Sequence, residues 1–210
     1  MTRAAPPNRH AAHHHHHGNP DDLDHYIAKM EEPGRAEWQK PEEVVKALVV
    51  TQGQTVGDIG SGPGYFSLRF AKATGESGQV YAVDVVPKML EVLRQRIEAA
   101  RLYNITPVLA SSDEPLIARG ACDLILIVDT YHHFPDGPVY LKVLKSKLKK
   151  GGRIANIDFH QGDLPVGPPA EQKISREDFL KEATAAGLGL TREHTFLPYQ
   201  YFVELAPRTT

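Results

Sequence analysis

Asp58-Ile59-Gly60-Ser61-Gly62-Pro63-Gly64-Tyr65-Phe66 decides how this chain is read. Residues 55–59 read as a short buried strand, and residues from about 65 to 73 read as a helix. A glycine-rich turn between a strand and a helix brings backbone close to a ligand. Gly60 and Gly62 permit the tight turn, and Gly64 lets the helix lie against the strand. Taken alone, the segment also suits a purely structural turn. The next strand, residues 79–83, ends at Asp84, where a carboxylate can accept hydrogen bonds from both hydroxyls of a ribose. The loop spells Gly-x-Gly-x-Gly and not the Gly-x-Gly-x-x-Gly of dinucleotide sites. Asp58, just before it, is awkward beside a pyrophosphate but useful beside an ammonium. The pattern favours a nucleoside cofactor without phosphate.

Outward from this loop, strands and helices alternate. A helix over 87–100 leads to a strand near 106–109, and the nearly unbroken apolar run at 124–128 suits a central parallel strand covered on both faces. A helix over 138–148 is expected to end at Gly151-Gly152, before a strand at 153–157. Ser175, three residues before Asp178, should cap a helix that runs to about Ala186 and stops at Gly187. Residues 190–196 and 201–205 read as a closing antiparallel pair. Repeated crossovers predict a three-layer αβα sandwich on a seven-stranded, mostly parallel sheet with an antiparallel C-terminal strand.

A single domain over 21–210 accounts for these elements, with residues 21–50 as a helical addition. Asp21 or Asp22 can cap a first helix carrying Tyr26, Ile27 and Met30; Pro33-Gly34 interrupts it, and Pro41-Glu42-Glu43 opens a second. Residues 1–20, rich in proline, alanine and histidine, are expected to be a disordered tail. Their run His13 to His17 suits either a tag or a natural tract and stands outside the active-site argument.

Hydrophobic residues make up 41% of the chain and charged residues 24%, with a formal net charge of -2, which gives no reason to expect a nucleic-acid or anionic-membrane partner. The lysines at 142, 145, 147, 149 and 150 read mostly as the solvated side of a helix. The sole cysteine, Cys122, excludes a disulfide framework within the chain and a multi-cysteine metal site, and reads as a buried thiol. No run approaches the roughly 20 apolar residues of a membrane span, and residues 1–17 lack the apolar core of a secretory signal, so a cytoplasmic location is the expectation.

The reacting groups are sought beyond the carboxyl ends of the strands, where open α/β sheets bind ligands. There stands Asp129-Thr130-Tyr131-His132-His133-Phe134. An imidazole, with an ordinary pKa of about 6.5, can take the proton that a nucleophile loses; His132 is favoured over His133, and Asp129 suits holding and orienting. The competing reading makes either histidine a helix cap or a loop hydrogen-bonder. After the fifth strand, the loop from Asp158 to Pro169 is rich in glycine and proline, and His160 is a candidate to face the pocket from the other side. Trp38 and Tyr26 either fold across the pocket or pack on the core.

Residues 40–160 resemble the class I S-adenosylmethionine-dependent methyltransferases, especially the broad small-molecule group. The resemblance implies a Rossmann-like fold and S-adenosylmethionine as cofactor, leaving as S-adenosylhomocysteine. It implies that Asp58, Gly60, Ser61, Gly62, Gly64 and Tyr65 cradle the methionine part and that Asp84, with Val85, holds the ribose. It places Ser112 and Asp113 near the adenine, and Asp129 near methionine and substrate. Ala110-Ser111-Ser112-Asp113 lacks the family's more usual Gly-Asp pair. Asp129-Thr130-Tyr131-His132 departs from the Asn/Asp-Pro-Pro-Tyr of enzymes that methylate base amines, and a lone cysteine disfavours arsenic methylation. The acceptor expected is a small molecule with an oxygen or nitrogen nucleophile, a protein substrate staying open, and monomer and homodimer fit equally. No metal is called for. Two other classes stay open: an NAD-dependent oxidoreductase, and a cofactor-binding or assembly module without catalysis.

Overall fold

In the computed structural model, which describes residues 23–208, three short helices precede the sheet: α1 (Leu23–Met30), α2 (Arg35–Gln39) and α3 (Pro41–Ala47). Proline at the first position and two glutamates in the first turn start α3, while Lys40, at φ 45°, forces the corner between α2 and α3. Then follow β1 (Thr55–Ile59), α4 (Ser67–Thr74), β2 (Gln79–Asp84), α5 (Pro87–Ala100), β3 (Ile105–Leu109) and β4 (Cys122–Val128). The chain continues through α6 (Gly137–Lys147), β5 (Leu148–Phe159), α7 (Arg176–Ala185), β6 (Leu188–His194) and β7 (Gln200–Pro207). The expected tail over 1–20 and the cap at Asp21 or Asp22 lie outside the described residues.

Among the described residues, seven strands make one sheet in the order β3-β2-β1-β4-β5-β7-β6. The first five are parallel, and β7 runs antiparallel to both β5 and β6. The αβα sandwich expected from the sequence is what forms. Val44, Phe70, Leu93 and Leu124 belong to the core on one face of the sheet, and Ile125, Leu141, Leu144 and Phe179 to the core on the other. Alternate residues of β4 feed the two cores, which is why its sequence is apolar without interruption. The strand order reverses between β1 and β4, and a crevice opens there beyond their carboxyl ends.

Several boundaries moved for local reasons. The glycine pair does not end α6. The helix stops at Lys147, and Gly151-Gly152 lies inside β5, where the register with β4 shifts between Cys122 and Leu124. Helix α4 starts at Ser67, because residues 61–66 are spent in the turn. Ser175 caps α7 as expected, accepting from the Asp178 N–H at 3.0 Å. The lysine group is largely engaged: Lys147 is buried against Glu114 at 2.8 Å, Lys145 donates to the Ala186 carbonyl and Lys149 pairs with Asp123. Cys122 is fully buried, and burial pushes its thiol up to about 12. No helix among the described residues is long and apolar enough to cross a membrane.

Candidate active site

The glycine loop hooks over the end of β2, with the N–H groups of Gly60 and Ser61 both donating to the Val83 carbonyl at 2.9 and 3.0 Å. Gly60 and Gly62 take positive φ values of 71° and 53°. A Cβ on Gly60 would collide with the Thr130 side chain, and one on Gly62 would stand 2.6 Å from Met30 Cε. Gly60 therefore needs glycine for conformation and for space, whereas at Gly62 the positive φ decides, because the tip of Met30 can move aside.

Asp84 closes the turn from below. Its Oδ2 accepts the Gly62 N–H at 2.8 Å and its Oδ1 the Val86 N–H at 2.9 Å. Asp58 lies buried beneath the loop and accepts the Ser67 hydroxyl at 2.6 Å. Burial, with the Asp84 charge adding to it, pushes the Asp58 carboxyl up to about 6. The hydroxyls of Ser61 and Tyr65 are buried and have no hydrogen-bond partner among the described residues.

At the end of β4 the backbone of Asp129 adopts φ 50°, a left-handed conformation that costs about 1–3 kcal/mol in a residue with a side chain. Its Oδ1 is buried and has no hydrogen-bond partner among the described residues, and burial together with nearby Asp158 pushes its carboxyl up to about 6. A single 3₁₀ turn, Tyr131–His133, follows. His132 Nδ1 stands 3.4 Å from Asp158 Oδ2, and Asp158, fully buried at the end of β5, is held by the Phe159 N–H at 2.8 Å. Burial opposes charge on this imidazole, but the carboxylates of Asp158 and Asp129 outweigh it and raise its pKa above the ordinary value. His133 packs beside it with ring centres 4.0 Å apart.

These elements meet in one cavity of about 960 Å³, lined by the glycine loop, Asp84, Val85, Ser112, Asp129, His132 and His133. Helices α1 and α2 wall its other side through Tyr26, Met30, Arg35 and Trp38, so the N-terminal addition covers the site. Trp38 also packs on Phe159, with ring centres 5.6 Å apart. Some sequence candidates are not cavity residues. Gly64 sits behind the loop against Leu93, Asp113 is exposed and accepts from Ser111 Oγ at 2.7 Å, and His160 is exposed. Tyr131 turns into the core, where its hydroxyl donates to Glu182 at 2.6 Å.

Two residues of weight were absent from the sequence reading of the site. Asp158 was seen only as the start of a loop, although its strand-end position across the sheet from Asp129 was a usable signal. Arg35, in a polar stretch between two helices, carried none. Ligand atoms of Asp129, His132 and Asp158 all lie within 4.8 Å of one another, the one grouping among the described residues with the composition of a metal site.

A mostly parallel sheet with a switch point, a glycine loop after β1 and an acid at the end of β2 define an open α/β protein of Rossmann-like architecture. Residues 56–152 match the family described as methyltransferase domain. A solved S-adenosylmethionine-dependent methyltransferase from Aquifex aeolicus superposes with a TM-score of 0.82 at 27% identity, over 86% of this chain and 96% of that one. The ubiquinone/menaquinone biosynthesis C-methyltransferase of Haemophilus ducreyi is 32% identical over 124 residues, 59% of this chain and 47% of that protein. A protein-L-isoaspartate O-methyltransferase of Methanothrix thermoacetophila is 29% identical over 120 residues, 57% of this chain and 50% of that one. The chain thus spans about half the length of the curated relatives it matches. Residues 56–152 thus match a methyltransferase domain, and the described chain is similar over most of its length to an S-adenosylmethionine-dependent methyltransferase.

Proposed function

We propose that the chain transfers the methyl group of S-adenosylmethionine to a small-molecule acceptor held beside His132. The observation that carries this reading is that one cavity joins Asp84 and the glycine loop to His132, which the buried Asp158 backs at 3.4 Å. The residues suit the cofactor: Asp84 for ribose hydroxyls, and Asp58 and Asp129 for positive charge. When bound, S-adenosylmethionine supplies an activated methyl group, so alignment and exclusion of water account for much of the catalysis.

The chain's own groups then have defined roles. Asp158 holds His132 by Nδ1, which leaves Nε2 as the acceptor for the proton of an attacking hydroxyl or amine. Asp129 orients charge beside the reacting centre, and Trp38 with α1 and α2 keeps water out. His132 Nε2 would take the proton that an oxygen or nitrogen acceptor loses on gaining the methyl group that bound S-adenosylmethionine would supply.

A second reading, methylation of a ring carbon, is favoured by one observation: Trp38, Phe134, Tyr140 and Phe159 give the acceptor end aromatic walls. The name of the Haemophilus relative points the same way. Calorimetric titration with S-adenosylmethionine, S-adenosylhomocysteine and NAD tests the cofactor. Saturable binding of the first two alone supports the reading, and binding of NAD alone ends it. A screen of phenols, quinols and amines, read by mass spectrometry, then separates transfer to oxygen, carbon or nitrogen.

A further inference from the structure

His132 and His133 ride on a single 3₁₀ turn, Tyr131–His133, that starts two residues after the left-handed Asp129. Two backbone bonds close it, from the His133 N–H to the Thr130 carbonyl at 2.9 Å and from the Phe134 N–H to the Tyr131 carbonyl at 3.1 Å. One such turn does little to fix its own position. His132 nevertheless depends on position. Its Nδ1 meets Asp158 Oδ2 at 3.4 Å, so a further displacement of a few tenths of an ångström ends the hydrogen bond. Asp158 from β5 and Asp129 from the end of β4 supply the charge that faces the imidazole, and His133 stacks beside it.

Tyr131 holds the turn from the core side, where it is fully buried. Its ring meets Phe179 of α7 edge to face, with centres 4.7 Å apart, and Phe134 at 5.5 Å. Its hydroxyl donates to Glu182 Oε2 at 2.6 Å, and Glu182 follows Phe179 by three residues on the same side of α7. A Cβ on Gly137, the first residue of α6, would collide with that hydroxyl and stand 2.9 Å from Glu182 Oε2. The start of α6, capped by Asp136, thus closes over the pair. Burial and the Glu182 carboxylate push the phenol well above its ordinary pKa, so the proton stays on Tyr131 and is donated. Phenylalanine would fill the same space. The hydroxyl adds a charge-assisted bond, and with it a direction. No described residue of α7 lines the cavity, so Glu182 reaches the site through Tyr131.

We infer that Glu182 is a positioning residue for the reacting centre: through the Tyr131 hydroxyl it pins the 3₁₀ turn to α7, in the place where His132 Nδ1 reaches Asp158. This rests on the reading of His132 as proton acceptor and extends it from the cavity wall to a helix behind the wall. Tyr131 and His132 are chain neighbours whose side chains leave the turn in different directions, one into the core and one into the cavity. Fixing the first therefore fixes the second. Glu182 sets where the imidazole stands, and Asp158 sets which of its nitrogens carries the proton.

The test reads the tautomer of His132 by nitrogen-15 NMR on the unliganded full chain, at a pH where the imidazole is neutral, with His132→Gln to identify its signals. Wild type should carry the proton on Nδ1, the form that a hydrogen bond to Asp158 selects. Tyr131→Phe and Glu182→Leu should lose that selection and show both forms, while S-adenosylmethionine affinity stays as in wild type, since neither residue lines the cavity. Glu182→Gln keeps an acceptor for the hydroxyl and should restore the Nδ1 form. Leu144→Val, in the same core, controls for lost stability: it should lower the melting temperature and leave the proton on Nδ1. An Nδ1 form retained in both Tyr131→Phe and Glu182→Leu, or lost equally in Leu144→Val, would make the pair ordinary core packing and overturn the inference. Wild type with the proton on Nε2 would overturn it together with the role given to His132. Wild type that shows the expected tautomers but binds no S-adenosylmethionine would end the methyltransferase reading and leave the Glu182–Tyr131 clamp standing.

Discussion

Asp84 serves two purposes at once. Its carboxylate accepts N–H groups from Gly62 and Val86, so it holds the glycine loop in shape as well as facing the cavity. Asp84→Ala should therefore weaken S-adenosylmethionine binding by about 10-fold or more and also lower the melting temperature, because two backbone donors lose their acceptor. Calorimetry and thermal unfolding on one preparation check both, and an unchanged affinity would remove the ribose assignment. Asp158 acts at one remove, through His132. Asp158→Asn preserves shape but withdraws the charge that raises the imidazole pKa. The acid limb of the pH–rate profile should move to lower pH, while cofactor affinity stays put. If the limb does not move, Asp158 is a packing residue and His132 is not the titrating base.

Helices α1 and α2 are the elements whose role depends most on the ligand. They reach the glycine loop through Met30 and Arg35 and the acceptor end through Trp38, yet α2 is only five residues long. Such short helices hold little structure by themselves. Saturation with S-adenosylmethionine should slow amide hydrogen exchange over residues 26–39 more than over β7, which is already locked between β5 and β6. Equal slowing in both places would count against a ligand-ordered cover. The same elements mark where sequence reading stops. The central strands and the glycine loop were legible because period, glycine spacing and the Asp84 position are local signals. Arg35 was not, since its place depends on the Lys40 corner and on Gln39 meeting Gln200, a contact made 161 residues apart. Asp158 was half legible: its strand end was visible, but its pairing with His132 needed β4 and β5 to be neighbours. The Gly151-Gly152 pair misled, because a bulge between strands and a helix stop ask for the same residue.

For the whole molecule, the cavity sets stability against binding. Two acids and an imidazole in it, Asp58, Asp129 and His132, have raised pKa values, the two acids to about 6. A group whose folded pKa is raised contributes stability below its unfolded pKa, and that contribution is lost as pH rises through the folded value. All three thus favour the unliganded fold at mildly acid pH. For Asp58, moved from 3.8 to about 6, the gain between pH 8 and 5 amounts to about 1 kcal/mol, or about 2–4 °C in melting temperature for a chain of this length. The carboxylates with lowered values, Asp123 and Glu193, lose their contribution only nearer pH 4 and do not oppose this within the window. Cofactor binding runs the other way, because an ammonium and a sulfonium are best met by ionised Asp58 and Asp129. The melting temperature of the unliganded chain should therefore fall from pH 5 to pH 8, while the increment from saturating S-adenosylmethionine grows over the same range. Asp58→Asn should flatten the first trend. Scanning calorimetry with and without cofactor at four pH values decides the matter: a melting temperature that rises with pH in the unliganded chain would mean that these acids are ionised and compensated before the cofactor arrives.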